Sequence, residues 1–183
     1  IEIEDFGNET VFKTLKKMGK NKLSYFNRII KLLIQIQSIK HRKVKNFRNQ
    51  NYIIPKYDKK ILINEANLFC DWYAKNNLSK LRKKRFCKKF KKIIKELTLK
   101  LKLKDNIFVH RDFHVSNLMS VKNQIGLIDS QDALIGNKAY DLASLIDDVR
   151  LKTSYSFKEK IFKFYIKKQK NLDIKKFKND FEI

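Results

Sequence analysis

The sequence predicts an α+β fold that is mainly helical and carries a small β insertion in its middle. Several segments place apolar residues three and four positions apart, which is the period of a helix with one buried face. Three short β-prone runs fall between residues 107 and 128, where that period is absent. With 183 residues, 43% of them hydrophobic, the chain can bury the core of one domain.

The amino-terminal residues predict a short strand followed by two helices. Ile1–Phe6 alternates apolar and acidic residues, as a strand does, and Gly7 ends the alternation. Asn8 or Thr10 can cap a helix that runs to about Met18. A second helix begins near Leu23, with an apolar face made of Phe26, Ile29, Ile30, Leu33 and Ile36.

Residues 41–57 are polar and irregular, and Pro55 closes this segment. Two further helices are predicted after it. The third has Leu62, Ala66, Phe69 and Tyr73 on one face, and the fourth has Phe86, Phe90, Ile93, Leu97 and Leu101. The charges of Lys80–Lys92 flank the apolar stripe of the fourth helix, which is typical of a solvated face.

The predicted β insertion begins with Ile107–Val109. Leu118–Val121 and Ile125–Ile128 are two more β-prone runs, and residues 122–124 form the turn between them. A helix over Ala139–Leu151 follows, and another occupies the tail. The apolar residues of these two helices are Leu142, Leu145, Ile146 and Val149, then Phe157, Ile161, Phe164 and Tyr165.

The net charge of +24 comes from 43 Lys and Arg against 19 Asp and Glu. One interpretation is a polyanionic partner such as nucleic acid. However, the lysines are spread through every segment, and the low Gly and Pro content beside many Lys, Ile, Asn and Phe is typical of an A/T-rich genome. Because the clustered footprint of a nucleic-acid interface is missing, we expect no nucleic-acid partner.

The sequence also predicts a cytoplasmic protein with no membrane partner. No stretch approaches the roughly 18 unbroken apolar residues of a membrane helix, and the first ten residues do not have the pattern of a secretory signal. Cys70 and Cys87 have no histidine at metal-ligand spacing. We expect both to be small core or half-buried residues in a reducing compartment.

The densest set of polar candidates is the segment His110–Asn117, which holds two of the three histidines. Phosphoryl transfer needs a carboxylate that accepts the proton of the attacking hydroxyl, and oxygen ligands for Mg²⁺. The pattern H-x-D-x-x-x-x-N supplies the carboxylate from Asp112 and an amide oxygen from Asn117, and Asp129 follows at the end of the next hairpin strand. Chance or loop capping can produce this pattern alone. The β-prone run before it and the hairpin and helix after it favour a kinase.

Val109–Met119 and Gly126–Arg150 resemble the catalytic loop and the metal-binding segment of the aminoglycoside phosphotransferase and choline kinase superfamily, which has a protein-kinase-like fold. The run GLIDSQDALIGNKAYDLASLIDDVR is especially similar to bacterial anomeric kinases of N-acetylmuramate and N-acetylglucosamine, which serve cell-wall recycling. Ile1–Gly7 resembles the hinge between the two kinase lobes. A long helix of these kinases has an L-F-x-x-W-Y signature, which resembles Leu68, Phe69, Trp72 and Tyr73.

The resemblance implies roles for five residues in binding Mg·ATP and in catalysis. Asp112 would be the catalytic base, and Asn117 and Asp129 would be the Mg²⁺ ligands. Backbone groups of Ile3 and Asp5 would hydrogen-bond the adenine of ATP.

Four more residues are supporting candidates. Asp141 would brace the catalytic loop from the following helix, and His110 would fix the geometry of the loop. For His114 and Asp132 the choice between substrate contact and local hydrogen bonding stays open.

The sequence departs from the family pattern in two places and lacks two family features. Ser130 stands where an aromatic residue is usual, which puts the packing that sets Asp129 in doubt, and Ser116 stands where the most similar kinases tend to have Asp. No Gly-x-Gly-x-x-Gly and no strand lysine before the hinge are present. We therefore interpret residues 1–8 as a hinge strand remnant and residues 9–183 as a kinase-like carboxy-terminal lobe. It would lack its amino-terminal lobe and some last helices, and we expect it to be inactive alone.

The predicted function is ATP-dependent phosphorylation of a hydroxyl on a small molecule, with the anomeric hydroxyl of an amino sugar as the favoured acceptor. Alternatives with the same chemistry are an aminoglycoside, choline or homoserine kinase. Alternatives from other classes are a non-catalytic fragment and a basic nucleic-acid-binding module. Asp112, Asp129 and Asp132 argue against the last, because clustered carboxylates repel phosphates unless a metal intervenes.

Overall fold

The computed structural model describes residues 4–19, 21–104 and 106–183. These residues form mostly helices, with short antiparallel strand pairs between them, so the predicted α+β class is confirmed. The helices are α1 Val11–Lys17, α2 Lys22–Gln37, α3 Lys59–Leu68, a π-helix Phe69–Ala74, α4 Lys75–Asn77, α5 Lys80–Leu99, α6 Tyr140–Ile146, α7 Tyr155–Lys168 and α8 Ile174–Glu182. The strands are β1 Lys43–Lys45, β2 Asn51–Ile53, β3 Ile107–Val109, β4 Leu118–Val121, β5 Gln124–Leu127 and β6 Leu134–Gly136.

The core lies between α2, α6, α7 and the segment that joins β3 to β4. The predicted apolar face of α2 is buried, and α6 and α7 contribute their own apolar faces to the same core. Fully or nearly fully buried core residues include Phe26, Ile29, Ile30, Leu33, Phe113, Val115, Leu142, Leu145, Ile161, Tyr165 and Phe177. The helical faces were predictable because their apolar period is regular.

Two strand pairs position the chemically interesting residues. β4 and β5 form a tight hairpin that pairs Leu118 with Leu127, and β3 pairs with β6. The end of β5 therefore lies beside the start of β4, where the loop between β3 and β4 ends. That geometry brings Asn117 and Asp129 to one end of the hairpin.

The segment before α1 lies along this hairpin. The Ser120 backbone N–H donates to the Glu9 carbonyl at 2.8 Å, and Thr10 forms a bridge with Met119. A Cβ added at Gly126 would lie 2.8 Å from the Phe6 ring, so glycine permits this ring to lie directly on β5. Phe6, Glu9 and Thr10 are therefore held against the strands that carry the site.

The predictions for residues 4–6 and 41–57 need correction. Ile1–Ile3 lies outside the described residues, and Glu4–Phe6 is not a strand. Residues 41–57 contain the hairpin of β1 and β2, whose side chains are all exposed. Each of these strands includes polar residues and is fully exposed, so neither shows an apolar β-prone run, which is why the sequence did not predict them.

Two further corrections concern the end of the chain. The helix predicted over residues 139–151 ends at Ile146, and Val149 is 88% exposed. The helix ends early because Asp148 turns inward and accepts a hydrogen bond from the Val115 backbone N–H at 3.1 Å. Strand β6 and helix α8 were not predicted, and β5 spans residues 124–127 instead of 125–128.

The third predicted helix is longer and less regular than a single α-helix. α3 continues through the π-helix into α4, and the π-helical segment buries Cys70 and Ala74 while Trp72 is 71% exposed. Single π-helical turns are often found at functional sites. Among the described residues, no helix is long and apolar enough to cross a membrane.

Candidate functional site

The loop between β3 and β4 is anchored in the core on both sides of Asp112. Val109 ends β3 fully buried, and Phe113 and Val115 are also fully buried. Asp112 lies between these anchors and is exposed. Because the flanking side chains are fixed inside, the Asp112 carboxylate is presented outward on a segment with little freedom to move.

Asp141, in the first turn of α6, holds the start of this loop. Its two carboxylate oxygens accept hydrogen bonds from the backbone N–H groups of His110, at 2.8 Å, and Arg111, at 3.1 Å. The Asp141 side chain is fully buried, and this burial raises its pKa from 3.8 to about 7, although the two N–H donors act in the opposite direction. The two hydrogen bonds to Asp141 are the contacts that a role in bracing the loop requires.

His110 connects the loop to the end of the β4–β5 hairpin. Its Nε2 lies 3.0 Å from the carbonyl oxygen of Ile128, directly before Asp129. Burial lowers the pKa of His110. A neutral ring that donates from Nε2 to this carbonyl accounts for the contact, which suits a residue that fixes geometry.

Asn117 and Asp129 face each other at the end of the hairpin. The Asn117 Nδ2 lies 3.4 Å from Asp129 Oδ2 and 3.2 Å from the Asp112 carbonyl oxygen. Asp129 has φ of 66°, in the left-handed region, and Gln131 Nε2 donates to its Oδ1 at 2.5 Å. Gln131 thus restrains the Asp129 carboxylate, next to Ser130, which has no aromatic ring to pack there.

The donor set of this pair fits Mg²⁺. Mg²⁺ prefers hard oxygen ligands, takes one or two carboxylates from the protein, and fills its remaining positions with water and phosphate oxygens. A half-turn of the Asn117 amide would present its oxygen toward Asp129 Oδ2. Within residues 4–19, 21–104 and 106–183, no group of three or more His, Cys, Asp or Glu side chains could hold a metal alone. Asn117 and Asp129 can therefore supply only part of a coordination shell.

The remaining predicted residues have less definite surroundings. The His114 backbone makes local hydrogen bonds, to the Asp112 carbonyl at 2.9 Å and from the Asn117 N–H at 3.0 Å. Asp132 has an exposed side chain, and its carbonyl accepts from Arg111 at 3.2 Å. The Asp5 carboxylate accepts from the Gly7 N–H at 2.7 Å, in a turn near β5.

Three residues that the sequence analysis did not select, Asp148, Glu65 and Tyr57, contact this loop. Asp148 accepts from Val115, and Arg111 pairs with Glu65, which also accepts from Tyr57. Asp148 carried a signal that could have found it: a carboxylate near the end of a helix opposes the helix dipole, which indicates another role. Glu65 and Tyr57 carried none, since their contacts depend on how α3 packs against the loop.

A known protein family matches most of the chain, including the loop, Asp141 and the Asn117–Asp129 pair. The model of the phosphotransferase enzyme family, APH, matches residues 20–171, which include every element from α2 to α7. The chain belongs to this family. The predicted relationship to the aminoglycoside phosphotransferases is therefore confirmed.

Curated relatives within the phosphotransferase enzyme family are similar over parts of the chain. An N-acetylmuramate/N-acetylglucosamine kinase of Neisseria meningitidis is 32% identical over 105 residues, which are 57% of this chain and 31% of that protein. The kinase of the same name from Pseudomonas aeruginosa is 34% identical over 96 residues, or 52% and 28%. The one from Caulobacter vibrioides is 23% identical over 153 residues, or 81% and 42%. The chain thus spans less than half the length of these relatives.

Proposed function

We propose that the chain is the carboxy-terminal lobe of a small-molecule kinase that transfers the γ-phosphoryl group of ATP to a hydroxyl. One observation carries the proposal. In a member of the phosphotransferase enzyme family, the exposed Asp112 lies on a loop held by Asp141, and Asn117 and Asp129 lie 3.4 Å apart beside it. These are the groups that phosphoryl transfer needs from a protein.

Each residue then has a defined role. Asp112 orients the acceptor hydroxyl and accepts its proton. Asn117 and Asp129 hold Mg²⁺, which, when bound, neutralises charge on the phosphates. Asp5 lies in the segment that would contact adenine, as would Ile3, which is outside the described residues. His110 and Asp141 keep the loop in place.

We also propose that an amino-terminal lobe completes the nucleotide site, with residues 1–8 as the hinge segment between the lobes. The 183 residues contain four glycines, at positions too far apart to form a glycine-rich phosphate loop. A protein without that loop and its strand lysine has few groups to fix the β- and γ-phosphates. We therefore expect residues 1–183 alone to bind Mg·ATP weakly and to show no useful turnover.

The acceptor that we propose is an amino sugar, phosphorylated at its anomeric hydroxyl. The support is the similarity to relatives named N-acetylmuramate/N-acetylglucosamine kinase. The anomeric hydroxyl is more acidic than an ordinary alcohol, so a carboxylate such as Asp112 suffices as its base. A net charge of +24 favours the approach of an anionic acceptor such as N-acetylmuramate.

The catalytic role is tested with Asp112→Asn in the protein that also carries an amino-terminal lobe. Because the Asp112 side chain is exposed and holds no part of the core, turnover should fall by at least about 100-fold while the melting temperature stays the same. Asp147→Asn, an exposed carboxylate outside the loop, is the matched control and should keep full turnover. If Asp112→Asn keeps most of the turnover, Asp112 is not the base.

The acceptor is tested by measuring ATP consumption with N-acetylmuramate, N-acetylglucosamine, choline, homoserine and kanamycin side by side. A pocket whose polar groups match a sugar should reject choline strongly, because those groups would be left unpaired. A clear preference for choline, homoserine or kanamycin would overturn the sugar assignment and leave the phosphotransferase chemistry standing.

A further inference from the structure

The Glu65 carboxylate on α3 is shared by two donors from other parts of the fold. The Tyr57 hydroxyl donates to Oε2, and the Arg111 guanidinium donates to Oε1. Arg111 and Glu65 are both partly buried, with 26% and 28% of their side chains exposed. An ion pair that is removed from most of the solvent restricts its partners more than a surface pair does.

Tyr57 and the helix α3 together hold the Glu65 side chain in place. Tyr57 is fully buried, its backbone N–H donates to the Ile135 carbonyl at 2.8 Å, and its ring meets Tyr140 edge-on at 5.0 Å. Asp58 caps the first turn of α3 by accepting from the Ile61 N–H at 2.9 Å. Glu65 lies in the second turn of this capped helix, and the hydroxyl of the buried Tyr57 holds its side chain.

The Arg111 side chain contacts three parts of the fold directly before Asp112 in the chain: Glu65, Asp132 and Tyr57. Besides Glu65, its guanidinium donates to the Asp132 carbonyl at 3.2 Å, and its Cζ lies 5.4 Å from the centre of the Tyr57 ring. Its backbone has φ of 76°, in the left-handed region, which costs free energy for any residue except glycine. The side-chain anchors of Arg111 hold the backbone in this conformation directly before Asp112.

We propose that Arg111 is a positioning residue for the phosphoryl transfer and that Glu65 and Tyr57 are its anchor. The inference rests on the proposed function, because it assigns the orientation of the Asp112 carboxylate to this network. Each terminal nitrogen of Arg111 makes one hydrogen bond, to Glu65 or to the Asp132 carbonyl, and these bonds hold the guanidinium within the fold, so we assign it to positioning and not to phosphate binding. Each oxygen of Glu65 accepts one hydrogen bond, from Tyr57 or from Arg111, which assigns Glu65 the role of holding Arg111.

The catalytic arm of the test uses Arg111→Ala, Glu65→Ala and the double variant in the two-lobed protein. Each single change should lower kcat by about 10- to 100-fold, since a misplaced base loses rate steeply with small displacements. The KM for Mg·ATP should stay within about twofold, because no nucleotide contact is removed. The double variant should be no slower than the slower single variant, and Arg111→Lys should recover part of kcat because an ammonium still pairs with Glu65.

The stability arm needs no activity and uses residues 1–183. The urea midpoint of the double variant should fall by less than the sum of the two single falls, since both single changes break the shared Arg111–Glu65 contact. Glu96→Ala is the matched control: it removes the exposed Lys92–Glu96 pair, at 3.9 Å, and should leave the midpoint unchanged.

Additive losses in the stability arm would overturn the network whether or not the protein transfers phosphate. In an active protein, a raised KM for Mg·ATP with unchanged kcat in Arg111→Ala would overturn the positioning role and make Arg111 a nucleotide ligand. A protein that is inactive toward every acceptor but shows the shared loss of stability would refute the kinase function and the positioning role with it, while the network itself would stand.

Discussion

Replacing Asp148 by Ala should destabilise the chain far more than replacing its neighbour Asp147. Asp148 accepts from the Val115 N–H at 3.1 Å, from the Arg150 N–H at 3.0 Å and from the Arg150 guanidinium at 3.2 Å. Val115 is fully buried, so its N–H would lose its acceptor with no water to replace it, at a cost of about 1–3 kcal/mol. The Arg150 side chain is 46% exposed and returns to water, which adds at most about 1 kcal/mol.

The total expected loss for Asp148→Ala is therefore about 2–3 kcal/mol of unfolding free energy. Asp147 has a side chain that is 62% exposed and pairs with Lys158 on the surface. Asp147→Ala should thus cost no more than about 1 kcal/mol.

Urea unfolding of residues 1–183 measures both changes under the same conditions. For a slope of about 2 kcal/mol/M, the Asp148→Ala midpoint should fall by about 1–1.5 M and the Asp147→Ala midpoint by less than about 0.5 M. Equal shifts for the two variants would refute the reasoning that the buried Val115 N–H depends on Asp148.

Two further predictions concern buried titratable groups. The pKa of Asp141 in the folded chain, about 7, lies above its unfolded value of 3.8, so its contribution to stability is present below about pH 4 and is lost as the pH rises toward 7. Asp141→Asn removes this titration, so the difference in unfolding free energy between the two proteins should change by about 1.4 kcal/mol per pH unit in this window, and a constant difference would contradict the assignment. Burial, with a smaller contribution from a hydrogen bond with Cys87, raises the pKa of the Cys70 thiol to about 11. At pH 7.5 iodoacetamide should therefore label the half-buried Cys87 well before Cys70, as mass spectrometry of the labelled peptides would show, and equal rates would refute this.

The central part of the site could be predicted because its spacing is local. Asn117 and Asp129 are separated by one short hairpin, and the paired strands of a hairpin bring its two ends together. Asp112 precedes Asn117 by five residues in a loop whose apolar residues point inward. Sequence spacing alone therefore determines which of these groups are neighbours.

The supports of the loop could not be predicted in the same way. Glu65 and Arg111 are 46 residues apart, and their contact depends on the packing of α3, which no periodicity specifies. Strands β1 and β2 are exposed and β6 ends in Gly136, so none of them shows an unbroken β-prone run like Ile107–Val109 of β3. The inward turn of Asp148 depends on an unpaired N–H elsewhere in the chain, a requirement that appears only once the core is assembled.

The carboxylates of Asp141, Asp148 and Glu65 hold the loop that presents the carboxylate of Asp112. Asp141 binds its first N–H groups, Asp148 binds the Val115 N–H, and Glu65 binds the Arg111 side chain, which leaves the carboxylate of Asp112 exposed. A chain with a net charge of +24 thus exposes the carboxylates of Asp112 and Asp129 at its site. The dispersed lysines favour the approach of an anionic nucleotide from a distance, whereas phosphate oxygens near Asp112 and Asp129 would be repelled without a cation between them. This opposition is a physical argument that the phosphotransferase site we propose would place a divalent cation such as Mg²⁺ between the phosphates and these carboxylates.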